Sequence, residues 1–385
     1  MSILIKGGNV VFPDGIREEN ILIKDDKIVY IGQNIPQANL IIDAKSFFVT
    51  PGFIDIHLHG GGGHDFMEAT DDAFTAICNY HLFQGATSQV PTAITAPSNE
   101  IIKFLEGFKN VMESNKIDAR LLGVHLEGPY LSFEKKGAHP QEFLRLPDPK
   151  EYENWIEKYP FIIRMTIAPE LEGALDLGDY LHNHNINASI GHSNAFGSEV
   201  DKAIEHGYTS VTHLFNAMSS YDEHQGMKAA GVAEMALLRK DLFVEVISDL
   251  QHVPKELIHL AYRIKESKKM ILVSDCLAPA GMEKGEYYLG NKSSGMPVDV
   301  KDAVYLRGQK KLAGSVASVN TLLKNVVSIG IGLVDAVNML SLTPAQLIGQ
   351  DYHLGSISID KCADILLLDG SLNVKRIICK GKIIL

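Results

Sequence analysis

The chain has 385 residues, 45% of them hydrophobic and 22% charged, a composition that excludes disordered, fibrous and collagen-like proteins. Its formal net charge of −11 argues against a nucleic-acid partner, which needs a basic face, but leaves room for a locally positive site that takes an anionic small molecule. The four cysteines (Cys78, Cys276, Cys362, Cys379) form no close pair, so neither a disulfide framework nor a cysteine zinc site is expected, and free thiols fit a reducing cytosol.

In chain order, residues 1–50 read as short strands: ILIKGG, NVVF, NILIKDDKIVYIGQ and LIIDA, punctuated by glycine, proline and paired aspartates. No charged n-region precedes a long apolar run here, and no run in the chain approaches the ~20 residues that span a bilayer. A cytoplasmic protein without membrane contact is therefore expected. Residues 51–354 hold eight apolar strand candidates: GFIDIHLHG, TSQVPTAI, RLLGVHLEGP, FIIRMTIAPE, INASIGHS, SVTHLFNAMS, LFVEVISDLQH and KMILVSDCLAP. Helical patterns fall between them, among them residues 71–84, 98–115, 198–206 and 254–268, with Pro254 at a helix start and Gly207 just past a helix end. Eight such units in roughly 250 residues predict an α/β protein built on a (β/α)8 TIM barrel. A doubly wound sheet lacks support, because no GxGxxG follows the first strand. The glycine run 60–63 reads as a flexible loop, not a P-loop, since no Gly-Lys-Ser/Thr follows. Residues 355–385 repeat the strand-and-turn pattern of the N-terminus. Neither end is long enough to be a domain alone, so the two are expected to pair into one small β-sandwich domain, 1–50 with 355–385.

Polar residues cluster at the C-terminal ends of the predicted strands, which converge on one face of a barrel. Strand 1 ends in His57 and His59, strand 3 in His125 and Glu127, strand 5 in His192, strand 6 in His213, strand 7 in Asp249 and His252, and strand 8 in Asp275. His57 and His59 lie on the same side of their strand, as two ligands of one metal would. A second His-x-His, His182 and His184, reads as a solvated helix end. Glu127, in HLEGPYL, is a carboxylate among apolar residues and must be paired, used as a cap, or bound to a cation. His192 or His213 alone would be read as a hydrogen-bonded core histidine. Together with Glu127 they make three N/O ligands with an open fourth position. Asp275, in LVSDCLAP, is a helix cap, an ion-pair partner or a general acid/base beside an acidified water. Cys276 reads as a small packed residue. His139 and His252 are substrate contacts or surface histidines, and Gly314 is a close backbone approach to a ligand or a simple turn.

Taken together, PGFIDIHLHG, HLEGPYL, KKGAH, IAPE, IGHSNA, THLFNAMS, VSD, LAGS, TPAQLIG and ADILLLD resemble the N-acetylglucosamine-6-phosphate deacetylase family of the amidohydrolase superfamily, over essentially the whole chain. The resemblance implies a metal-dependent (β/α)8 barrel with a small β-sandwich from both termini. It implies hydrolysis of the acetamide of N-acetylglucosamine-6-phosphate. It assigns Glu127, His192 and His213 as metal ligands and Asp275 as catalytic acid/base; in the mechanism expected from these groups, His139 or a metal stabilises the oxyanion. Sugar contacts become Ala138, His139, Asn216, Ala217 and the turn from Asp249 to His252, with the backbone of Leu312, Ala313 and Gly314 lining the site. His57 and His59 resemble the two-metal members of the family, with Glu127 bridging and Asp275 beside the metals. The cofactor is then one or two divalent metals (zinc, iron or manganese), and the assembly a homodimer with the phosphate end of the site near the subunit interface.

One segment departs from the family. Where its members carry His-Arg-Glu-Pro-Gly after FNAMS, this chain reads SYDEHQGMKAAG, and His224 stands at the position of the phosphate-holding arginine. Imidazole lacks the planar, always-charged fork of arginine. Either Lys228 compensates as a point charge, or the substrate is another N-acetyl amino sugar or other amide. A non-catalytic sugar-phosphate binding protein is a third reading, opposed by the complete set of Glu127, His192, His213 and Asp275.

Overall fold

The computed structural model describes residues 1–301 and 303–385. Eight strands are numbered here in chain order: β1 (Phe53–Leu58), β2 (Ala86–Ala93), β3 (Val124–Glu127), β4 (Ile162–Ile167), β5 (Asn187–Ile190), β6 (Tyr208–Val211), β7 (Phe243–Val246) and β8 (Met270–Leu272). Each pairs in parallel with the next from β1 to β8. Past the ends of the strands the ring is closed by backbone bonds: Asp275 N–H donates to His57 O at 2.9 Å and His59 N–H to Cys276 O at 2.8 Å. All eight expected strands are present, as are the helices Asp71–Phe83, Ser98–Ser114, Ser198–Glu205 and Lys255–Lys269. Pro254 caps the last of these, and Gly207 follows the C-cap His206 with φ +86°.

The two chain ends form one hydrogen-bonded sheet of eight strands. The N-terminal strand Ser2–Phe12 lies parallel to Phe48–Pro51, which pairs antiparallel with the C-terminal strand Ile365–Leu368. That last strand shows why its sequence, ILLL, does not alternate. Ile365 and Leu367 enter the core of the terminal sheet with Ile3, Ile5 and Val49, while Leu366 and Leu368 enter the barrel core. A strand buried on both faces reads as a continuous apolar run, and each such side chain contributes about 1.5–3 kcal/mol on burial. Among the described residues, no helix is long and apolar enough to cross a membrane.

Two features differ from expectation. The glycine run is not a free loop: Gly60–Gly61 pairs with His64–Asp65 as a minute hairpin, and Gly60 and Gly61 are buried. A Cβ on Gly60 would lie 2.4 Å from His64 O and 2.7 Å from Ala278 N, so only glycine lets β1 pass between these two segments. An antiparallel sheet of Glu286–Leu289, Met296–Val300 and Val304–Leu306 is also inserted after β8. Its residues are partly exposed and its strands short, so it leaves little hydrophobic pattern.

Gly60→Ala is expected to destabilise the protein by about 1–3 kcal/mol, since backbone on both sides must move. Denaturant unfolding measures this, and an unchanged midpoint would show that the hairpin yields without strain.

Candidate metal centre and active site

Three strands hand over to their site residues through unusual backbone. His192, His213 and Asp275 follow β5, β6 and β8 with φ of +48°, +31° and +46°. The left-handed region costs a non-glycine residue roughly 1–3 kcal/mol and persists only where surrounding structure over-determines it. Here it turns three side chains into the barrel mouth, where all three residues are buried.

They meet Glu127, whose two carboxylate oxygens face different groups. Oε1 lies 3.2 Å from His192 Nε2 and 3.0 Å from His213 Nε2, and those two nitrogens are 3.0 Å apart. Oε2 lies 3.0 Å from His59 Nε2 and 3.5 Å from His57 Nε2. Asp275 Oδ1 is 3.4 Å from His59 Nε2 and 3.6 Å from His57 Nε2. Tetrahedral ligands at ordinary zinc–nitrogen distances sit about 3.3 Å from one another, so these spacings fit ligand edges around two centres that share Glu127.

The hydrogen bonds of the far ring nitrogens test that fit. His192 Nδ1–H donates to Lys135 O at 2.8 Å, and His57 Nδ1–H to Glu245 Oε2 at 3.1 Å. Each bond fixes the tautomer and turns an Nε2 lone pair toward a carboxylate oxygen. Two lone-pair groups at such distances repel unless a cation lies between them. Without a metal, protons take that role: burial opposes charge on His57, but Glu127 and Asp275 lift its pKa well above the usual value. Glu127 itself is penalised by burial, yet His57, His139, His192 and His213 hold its pKa well below the usual range. The donor set of imidazoles and carboxylates suits a divalent transition metal.

His139 is different. Thr95 N–H and the Thr95 hydroxyl both approach its Nδ1, at 3.4 and 2.8 Å. Nδ1 accepts, so the proton sits on Nε2, which points at Glu127 Oε2 from 3.4 Å. Burial, then the neighbouring His192, pushes its pKa down to about 3. His139 thus carries its proton on Nε2, facing Glu127, and its ring nitrogens also group with donor atoms of Glu127 and His192 closely enough to hold a metal.

The cavity above these groups measures about 560 Å³. Ala138, His139, Asn216, Ala217, His252, Leu312, Ala313 and Gly314 all line it together with His59, Glu127, His192, His213 and Asp275. Gly137 and Gly314 pass close to the floor. A Cβ on Gly137 would meet His192 Cε1 at 2.8 Å, and one on Gly314 would meet Leu277 at 2.9 Å. Asp249 does not border the cavity. Its carboxylate accepts from His252 Nδ1–H at 2.7 Å and orients that ring. Burial opposes charge on His252, but Asp249 lifts its pKa above the usual value. His224 and Lys228 are not brought to the cavity. They sit on the hairpin Asp222–His224 and Met227–Ala229, where His224 stacks on Phe196 at 4.5 Å. His184 caps the helix Ala174–Asn183 in solvent, as expected, and the Cys276 thiol is packed against Ala317 O at 3.2 Å.

Sequence reasoning missed the support beneath the centre. Glu245, inside β7, binds His57 Nδ1–H, accepts from His213 N–H at 3.3 Å and forms a buried ion pair with Arg164 of β4. Arg164 also donates to Asn187 and Ser189, each at 3.0 Å. The signal was present: a carboxylate in the apolar run FVEV is open to the same burial argument that singled out Glu127. Lys135, Lys310 and Lys311 also line the cavity and were not singled out.

A ring of metal-ligating groups at the C-terminal mouth of a parallel barrel defines the class. Residues 48–384 match the amidohydrolase family, and the chain belongs to it. Among its relatives is the N-acetylglucosamine-6-phosphate deacetylase of Vibrio furnissii, 33% identical over 87% of this chain and 82% of that protein. The N-acetylgalactosamine-6-phosphate deacetylase of Escherichia coli is 30% identical over 100% of this chain and 99% of that protein. The structure of N-acetylglucosamine-6-phosphate deacetylase from Pasteurella multocida is similar with a TM-score of 0.92, at 29% identity, covering 100% of this chain and 99% of that one. An aspartate-to-alanine mutant of the Mycobacterium smegmatis deacetylase, in complex with N-acetyl-D-glucosamine-6-phosphate, is similar with a TM-score of 0.91, at 30% identity and 99% coverage of both chains.

Glu245→Gln removes the charge that balances Arg164 while keeping the shape of the side chain. It is expected to weaken metal retention about 10–100-fold and to lower the melting temperature, because it leaves a buried guanidinium without its partner charge. Metal content after dialysis and a thermal melt read the two effects separately.

Proposed function

We propose that the protein is a metal-dependent deacetylase that hydrolyses the acetamide of N-acetylglucosamine-6-phosphate to glucosamine-6-phosphate and acetate. The observation that carries this reading is the sharing of Glu127 between two ligand clusters on the floor of a cavity that Asp275 and His139 both enter. The family, and relatives that act on N-acetyl hexosamine 6-phosphates, support it.

In this reading His57, His59, Glu127, His192, His213 and Asp275 hold one or two divalent ions of zinc, iron or manganese. When bound, the metal supplies a Lewis acid and acidifies a water at neutral pH. Asp275 takes the proton of the attacking water and returns it to the leaving amine. His139, held neutral with its proton on Nε2, donates to the oxyanion that develops on the acetyl carbonyl. Asn216, Ala217, His252 and the backbone of Leu312–Gly314 position the sugar, and Asp249 orients His252. The protein works in the cytoplasm as a homodimer.

The test is acetate release from N-acetylglucosamine-6-phosphate, N-acetylgalactosamine-6-phosphate and unphosphorylated N-acetylglucosamine, with enzyme reconstituted in zinc, manganese or iron(II). Strong preference for the glucosamine phosphate is expected. No release from any of the three would overturn the reading. Chelation is expected to abolish turnover and added metal to restore it. Asp275→Asn is expected to lower kcat about 10²–10⁴-fold with metal at the Glu127, His192 and His213 cluster retained; near-wild-type turnover would remove Asp275 from the mechanism.

A further inference from the structure

The motif IAPE, which closes β4, carries an acid that the deacetylase reading leaves without a role. Glu170 is partly buried and does not border the cavity. Its carboxylate accepts twice from the chain just past His192: Oε2 from the Ser193 hydroxyl at 2.7 Å, and Oε1 from Asn194 N–H at 2.5 Å. Burial lifts its pKa above the usual carboxylate value, opposed by hydrogen bonds, these two among them, rather than by a cation. A carboxylate drawn out of water needs such donors, and both of these belong to the segment that leaves the metal site.

His192 has φ +48°, and a conformation of that kind persists only where its surroundings over-determine it. On one side, Ser132 N–H donates to His192 O at 2.9 Å and His192 Nδ1–H to Lys135 O at 2.8 Å. On the other, Glu170 holds the next two residues. The Ser193 hydroxyl gives its one hydrogen to Glu170 and accepts from Ala195 N–H at 3.1 Å, which fixes its rotamer. The same segment carries the neighbouring turn: Ser219 N–H donates to Ser193 O at 2.9 Å, and the Ser219 hydroxyl donates to Ala195 O. That turn holds His213, Asn216 and Ala217, and His213, Phe215 and Ala217 all have positive φ. Glu170 therefore stands at the root of two strained segments. One brings in a candidate metal ligand, and the other brings in a second ligand and two sugar contacts.

We infer that Glu170 is a positioning residue, whose carboxylate acts through Ser193 and Asn194 to set the placement of His192 and of the Asn216–Ala217 turn. Such placement has a steep effect. A shift of about 1 Å in a site costs about 10²-fold in rate, and loss of a group that orients a metal ligand costs about 10–100-fold in metal affinity. The turnover part of the inference rests on the deacetylase reading, and the metal-retention part does not.

The full chain loaded with zinc is compared with its Glu170→Ala, Glu170→Gln and Ser193→Ala variants. Each is measured for zinc retained after dialysis against a chelator, for kcat and KM on N-acetylglucosamine-6-phosphate in excess zinc, and for melting temperature in excess zinc. Glu170→Ala is expected to hold zinc about 10–100-fold more weakly. Its kcat in excess zinc is expected to fall at least about tenfold, as misplacement within a site implies. Glu170→Gln keeps the length of the side chain and an oxygen for Asn194 N–H, and is expected to recover most of both. Ser193→Ala removes one of the two bonds and is expected to show an intermediate loss. A merely structural bond would lower the melting temperature while zinc retention and kcat stayed at wild-type values, and that result would overturn the inference. So would a glutamine variant no better than alanine, since a bond-making side chain of the same length would then not suffice. If Glu170→Ala does not fold, Ser193→Ala decides: wild-type zinc retention and kcat there would overturn the inference. A wild-type enzyme that released no acetate would remove the deacetylase reading, and zinc retention would still decide the role of Glu170. Equal retention and equal kcat in an active wild type and its variants would remove the role and leave the reading intact.

Discussion

The structure depends on one buried carboxylate. Glu127 is 3% exposed and lies within 3.5 Å of five imidazole nitrogens. A carboxylate taken out of water carries a penalty of several kcal/mol unless positive charge and hydrogen bonds repay it. The strand ends around it supply that repayment, and bonds on the far side of the His57 and His192 rings turn their lone pairs inward. The positive φ values of His192, His213 and Asp275 belong to the same solution, because a regular strand ending would carry those side chains past the centre.

The remainder of the barrel keeps that centre in place. Arg164 and Glu245 form a charge pair inside the barrel and set the His57 ring, while hydroxyls of Thr166, Ser189 and Thr212 satisfy one another and the arginine. A polar network this deep is stabilising only when every member finds a partner, so the layer beneath the metal site also specifies the register of β4 to β7. The terminal sheet packs against the barrel through Leu366 and Leu368 and takes no part in the cavity. The inserted three-stranded sheet does take part: Leu289 and the segment that follows the sheet form one wall.

Much of the site was legible because barrel geometry turns chain position into spatial position. Histidines and acids at the ends of apolar runs converge once the runs are parallel strands, which is why His57, His59, Glu127, His192, His213 and Asp275 could be grouped without coordinates. Glu245 escaped because it lies within its run rather than at the end. His224 and Lys228 were picked out by position in a motif, which says nothing of where a two-stranded hairpin points. Lys310 and Lys311 carried no signal of their own, since lysines after a turn are ordinarily a solvated surface.

By itself, the sequence determined the eight-unit α/β pattern, the pairing of the two ends, and the identity of the groups at the barrel mouth. These follow from local periodicity and from the cost of burying charge, and both are properties of short segments. The tertiary structure alone decided that the two oxygens of Glu127 serve different imidazole pairs, that His139 carries its proton on Nε2, and that lysines from two distant segments border the cavity. Those outcomes depend on ring tautomers, strained strand ends and contacts between residues more than a hundred positions apart, which only the closed barrel brings together.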